Sequence, residues 1–107
     1  MGLVVNCGEA SSSLHPGLRR YNINHMYYVY VLKSLSCDWL YVGYSNDLER
    51  RFGEHNDGKV KSTKAYKPFK LIFYEAFESK KDAKRREQYL KTNKGKRVLR
   101  LMLQNTL

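Results

Sequence analysis

A chain of 107 residues, 42% of them hydrophobic, is long enough for one domain with one buried core. Its two cysteines, Cys7 and Cys37, exclude a disulfide framework and a four-ligand zinc site and read as reduced thiols of a cytoplasmic protein, and no apolar run approaches the ~20 residues of a membrane span. Lys and Arg number 20 against ten Asp and Glu, a net charge of +10 that points to a polyanionic partner, nucleic acid before an anionic membrane.

In chain order, residues 1–25 come first. They show no sustained period and contain a Ser run and Pro16-Gly17, so they read as a flexible N-terminal extension. Met26 opens a regular pattern, and the domain is expected over 26–107. MYYVYVLKS (26–34) is β-branched and aromatic, a strand apolar on both faces. WLYVGY (39–44) is a second strand, and the short linker between them suits a hairpin. Ser45, Asn46 and Asp47 offer N-caps for a helix over about 46–57, with Gly58 at its end. Residues 59–68 read as a basic loop. FKLIFYEAF (69–77) is a third strand. Ser79 with Asp82 three residues on opens a long helix to about Thr92. Asn93-Lys94-Gly95 is expected to interrupt it before a short last helix, about 96–104, that buries Val98, Leu99 and Met102. The order ββαβαα predicts an α/β (α+β) sandwich, helices on a three-stranded mixed or antiparallel sheet.

Several polar residues fall on inward faces. Leu48, Phe52 and His55 follow the i, i+4, i+7 rule, and Arg51 lies beside them. Arg50 and Glu54 are spaced for a solvent ion pair on another flank. In the second helix Ala83, Glu87 and Leu90 share the core-facing stripe, so Glu87 is a carboxylate pointing inward. Residues 80–100 around it carry ten Lys or Arg and two acids, Asp82 and Glu87. A buried carboxylate is costly unless it is paired or holds a metal. Both readings stand: a salt bridge, for instance to Arg51, or a single-carboxylate site of the kind Mg²⁺ accepts. Tyrosines crowd the first two strands. With the turn centred on Leu35-Ser36, Tyr30 would lie opposite Tyr41. Gly43 inside a strand implies a bulge or a close approach.

Tyr28-Val29-Tyr30, then Leu40-Tyr41-Val42-Gly43, then Arg51 and His55, then Glu87 in a later helix form an ordered set. This set resembles the GIY-YIG nuclease domain, in particular its small bacterial single-domain members, over about residues 26–95. The resemblance implies a metal-dependent endonuclease that hydrolyses phosphodiester bonds in DNA, less readily RNA, with Mg²⁺ or Mn²⁺ as cofactor. It implies a structure-selective role in repair or recombination, and no separate DNA-binding domain, so that a protein partner could supply specificity. Carried over by position, Tyr30 and Tyr41 are the motif tyrosines and Gly43 its structural glycine. Arg51 grips the scissile phosphate, His55 joins the proton network, and Glu87 binds the metal. A tyrosine would act as general base, its pKa lowered by nearby cations. Tyr28 stands where the motif's first glycine would be. The asparagine that many members carry after the glutamate has no clear counterpart, Asn93 being the nearest. Lys59, Lys61, Lys64 and Lys67 of the basic loop and Lys84, Arg85, Arg86 and Lys91 of the helix are the expected phosphate contacts. Two other readings compete: a non-catalytic nucleic-acid-binding module on the same scaffold, and a small basic structural protein of a ribonucleoprotein. Neither needs a carboxylate in the middle of its most basic helix.

Overall fold

The structure is a computed structural model that describes residues 25–107. The expected flexible extension lies, but for its last residue, outside the described residues. The elements are β1 (Tyr27–Ser34), β2 (Leu40–Ser45), α1 (Leu48–Asn56), β3 (Phe69–Phe77), α2 (Lys80–Leu90) and α3 (Asn93–Met102). A 3-10 turn, Lys64–Tyr66, interrupts the loop before β3. The order is the expected ββαβαα, and the sheet is wholly antiparallel with strand order β2-β1-β3. Among the described residues no helix is long and apolar enough to cross a membrane.

The central strand is β1, which explains why it is apolar on both faces. Val29, Val31 and Val42 face Ala83 and Leu90 of α2 and Leu99 of α3, with Leu103 closing that cluster. On the other face Tyr30, Leu32 and Phe69 pack with Leu48 and Phe52 of α1. Each fully buried aliphatic side chain in these clusters contributes about 1.5–3 kcal/mol of transfer free energy. Ile72 is an extra residue in β3: Val31 pairs with Phe73 but Leu32 with Leu71. The bulge turns Leu71 toward α1 while Ile72 and Phe73 pack on the opposite side.

Local signals end the helices much as their residue types require. Asp47 caps α1 by accepting from the Arg50 N–H at 3.1 Å. Ser79 caps α2 by accepting from the Asp82 N–H at 3.3 Å. The start of the last helix corrects the sequence expectation. Thr92 is its cap, accepting from the Gly95 N–H, so Asn93-Lys94-Gly95 is helical rather than an interruption. Gly95 is buried, and a Cβ there would sit 1.9 Å from the Tyr89 carbonyl oxygen. It is a glycine of close approach: it lets the first turn of α3 cross the end of α2. The inward face of the helix follows Gly95, Leu99 and Leu103, four residues apart. Leu99 and Leu103 are buried and Val98 half-buried, whereas Met102 is 45% exposed instead of buried.

Candidate active site

The hairpin register places the first components. Tyr30 pairs with Gly43, and Tyr41 pairs with Leu32, so Tyr30 does not lie opposite Tyr41 as expected. The turn is centred one residue later than Leu35-Ser36. The two tyrosines are instead diagonal neighbours on one face, ring centroids 6.3 Å apart. The register explains Gly43. A Cβ on it would lie 2.4 Å from both Cζ and Oη of Tyr30. The missing side chain is the space through which the Tyr30 ring reaches across the edge strand β2.

Helix α1 brings the next pair. His55 is fully buried, and its Nε2 is 2.8 Å from Tyr30 Oη. Its Nδ1 is 2.8 Å from Thr63 Oγ1. Thr63 donates its own proton to the Val60 carbonyl at 3.4 Å, so it accepts from Nδ1–H. Nε2 is then the acceptor for the Tyr30 hydroxyl. Burial, helped by the nearby Arg51 charge, pulls the His55 pKa down to about 4, so the ring is neutral at pH 7. Burial likewise pushes Tyr30 up to about 12, and the opposing pull of Arg51 is the smaller effect. The expectation that cations lower the tyrosine pKa therefore fails for Tyr30, because desolvation of the phenolate outweighs them.

Arg51 and Glu87 act on this phenol in opposite directions. The Arg51 guanidinium favours the Tyr30 phenolate and the Glu87 charge disfavours it. Arg51 is 35% exposed and rests on Glu54 at 3.0 Å. Arg50 pairs with the same carboxylate at 2.8 Å, as its spacing predicts, but is 53% exposed on the outer flank. Glu87 is 13% exposed, and its partners are lysines one turn before and one turn after it, Lys84 at 3.8 Å and Lys91 at 3.1 Å. The salt bridge to Arg51 that its inward position allowed does not form. Both lysines are about half exposed and can swing away, leaving one largely buried carboxylate whose charge reaches the Tyr30 phenol. That donor set fits a hard divalent cation which fills its remaining positions with water and phosphate oxygens. Among the described residues no three His, Cys, Asp or Glu side chains gather into a closed metal cage.

The chain belongs to the GIY-YIG catalytic domain family. That family matches residues 26–100, the span that holds every residue of the pocket described above. The chain is similar to the UPF0213 protein YazA of Bacillus subtilis, 48% identical over 69 residues, covering 64% of this chain and 67% of that one. A UPF0213 protein of Staphylococcus saprophyticus is 36% identical over 77 residues, 71% of this chain and 93% of its own. The solution NMR structure of a UPF0213 protein of Bacillus halodurans is 35% identical and covers 72% of this chain and 84% of that one, with a TM-score of 0.47. GIY-YIG is a nuclease family whose members generally use a divalent metal, and the resemblance seen in the residues holds at that level.

The expected phosphate contacts divide. Lys59, Lys61, Lys64 and Lys67 are exposed on the loop after α1. Lys84 stands 4.6 Å over the Tyr44 ring and Lys91 5.7 Å over the Tyr41 ring, both along β2. Arg85 is exposed and paired with Asp82 at 2.9 Å. Arg86 turns the other way and forks onto Glu75 of β3 at 2.8 and 3.2 Å, so its guanidinium is occupied at the opposite sheet edge. One member of the site had no sequence signal of its own. Thr63 sits inside the basic loop, and only the folding of that loop beneath His55 makes it a buried partner.

Proposed function

We propose that this GIY-YIG domain is a metal-dependent endonuclease that hydrolyses phosphodiester bonds in DNA, selecting substrates by structure. The observation that supports it best is the buried Tyr30–His55 hydrogen bond, with Arg51 and Glu87 both acting on the same phenol. A structural tyrosine does not need a neutral, oriented imidazole behind its hydroxyl and a guanidinium and a carboxylate beside it.

In this reading Arg51 leaves Glu54 and offers its planar fork to two oxygens of the scissile phosphate, which a lysine cannot do. Tyr30 Oη accepts a proton from the attacking water while its own proton passes to His55 Nε2. Thr63 holds His55 in the tautomer that can receive it. Burial keeps His55 low and Arg51 adds to this, so phosphate binding at Arg51 would relieve only the smaller part of the depression. Tyr41 borders the same space, its ring 5.1 Å from that of His55. Glu87 would hold Mg²⁺ or Mn²⁺, which supplies stabilisation of the leaving oxyanion when bound. The loop lysines together with Lys84, Arg85 and Lys91 provide the non-specific attraction to the backbone.

The test is incubation with branched, nicked, single-stranded and duplex DNA in Mg²⁺ or Mn²⁺, with EDTA as control, for the wild type and Glu87→Gln. The variant is expected to lose cleavage while DNA affinity holds or rises. Its partners are half-exposed lysines, so melting should move by no more than the ~1 kcal/mol of a surface pair. A Glu87→Gln protein that cuts at the normal rate would overturn the metal assignment. Binding without cleavage by the wild type would favour the non-catalytic module.

A further inference from the structure

Outside the pocket, a cavity of about 420 Å³ runs along β2, between that edge strand and the junction of α2 and α3. Its walls include Trp39, Tyr41, Lys91, Lys96 and Arg100, with Asp38 at one end. We infer that this groove takes an unpaired stretch of DNA leading from the scissile phosphate, so that the enzyme favours substrates with a single strand at the cut. This rests on the proposed nuclease reading.

Charge is the first support. Three cations face one acid, and Lys96 and Arg100 are neighbours one turn apart on α3. Both are exposed, and among the described residues neither forms an ion pair. The aromatic wall is the second. Trp39 is stacked on Tyr66 at a centroid distance of 3.9 Å and an interplanar angle of 21°, and Tyr41 stands 6.0 Å away. An indole backed in this way is a rigid platform, the complement of a base whose face is free. Bases inside a duplex already spend their faces on one another and cannot lie on it. Continuity is the third. Tyr41 belongs both to the groove and to the His55 pocket, and Lys91 lines the groove while pairing with Glu87. A strand held here therefore arrives at the place where Arg51 and Glu87 would meet its phosphate. The cavity is also within the ~300–1,000 Å³ that holds one small ligand, sufficient for a base but not for a double helix.

Trp39 is the only tryptophan of the chain, so its emission reports groove occupancy directly. The experiment titrates a 12-nucleotide single-stranded DNA and a blunt duplex of the same length into the full chain in EDTA, reading both anisotropy and Trp39 emission. Single-stranded DNA is expected to quench Trp39, and duplex DNA to bind with little quenching. Lys96→Gln/Arg100→Gln should weaken the single strand about tenfold. Lys94→Gln/Arg97→Gln removes the same charge from α3 outside the groove and should change it by no more than about twofold. Trp39→Leu should cost at least about fivefold. Equal effects of the two double variants, or single-strand binding that leaves Trp39 emission unchanged, would overturn the groove assignment. Cleavage by the same preparations in Mg²⁺ would then leave the nuclease reading standing. Quenching with no cleavage of any DNA would support the groove and sink the nuclease instead.

Discussion

Gly43→Ala probes the centre of the site with one methyl group. The added Cβ would sit 2.4 Å from Tyr30 Cζ and Oη and 2.9 Å from Cε1, distances that nonbonded carbons do not adopt. The ring must retreat. It is 1% exposed and closed in by Tyr41 and His55, so it has no free volume to enter. Overpacking of this kind costs about 1–3 kcal/mol. The 2.8 Å bond to His55 Nε2 would lengthen or break, adding about 1–3 kcal/mol for a buried acceptor left unpaired. A combined loss of about 2–6 kcal/mol, at about 4–8 °C per kcal/mol for a domain this size, lowers the melting temperature by roughly 10 °C at the least. Below the new melting point, single-turnover cleavage should fall by about 10²- to 10⁴-fold, the usual worth of a positioned proton acceptor. Gly53→Ala is the matched control. It adds the same methyl group within α1, where a Cβ meets nothing within 4 Å, and should be neutral or stabilising by up to ~1 kcal/mol. Both are read by thermal melting followed by circular dichroism and by cleavage on a fluorescent substrate. A Gly43→Ala protein that melts and cuts like the wild type would refute the close approach of Tyr30 and the role built on it.

Arg51→Ala should lower cleavage about 10²- to 10³-fold with a small effect on DNA affinity, whereas Arg50→Ala on the outer flank should be mild; equal effects in a binding and rate comparison would reduce both to general positive charge. Thr63→Val keeps the shape but removes the acceptor for His55 Nδ1–H, so about 1–3 kcal/mol of stability and most of the cleavage should go while DNA binding stays, as measured by denaturant titration and anisotropy. His55 has a folded pKa of about 4 against an ordinary 6.5, so the unfolded chain binds the extra proton between those values. Stability should therefore fall as pH drops from about 6.5 to 4, by up to about 3 kcal/mol, and level off below; His55→Gln should lack that portion of the slope in melts across the range.

The architecture was largely legible because its elements announce themselves by period and punctuation. The β-branched and aromatic run at 26–34 reads as a strand, and Ser79 with Asp82 marks the start of α2. The errors arose where tertiary contact overrides local preference. Asn93-Lys94-Gly95 carries helix-breaking residues, yet Gly95 is there to let two helices touch, and the interruption falls two residues earlier. The hairpin register slipped because the four residues between the strands fit more than one turn, so Tyr30 met Gly43 rather than Tyr41. Within the site, the inward stripe of α1 announced His55 and that of α2 announced Glu87. Thr63 had no stripe to lie on. Burial was the quantity hardest to read in advance, which is why the Tyr30 pKa moves opposite to the direction that counting nearby cations suggests.

The two displaced pKa values have a joint consequence for the proposed chemistry. A phenol near 12 and an imidazole near 4 make a poor proton-transfer pair in the free protein: the proton stays on Tyr30 by a wide margin at pH 7. Arg51 contributes to both positions with opposite value for catalysis. It favours the Tyr30 phenolate, and it opposes the protonated His55 that would receive the phenol's proton. In the free chain Glu54 already offsets part of that charge from outside the pocket. In the proposed reading, a phosphodiester bound by Arg51 would offset more of that charge than Glu54 does from the rim. Burial, the larger cause of the low His55 value, remains, so the bound phosphate would ease the transfer only in part. A bound phosphate then tunes the pair rather than creating it.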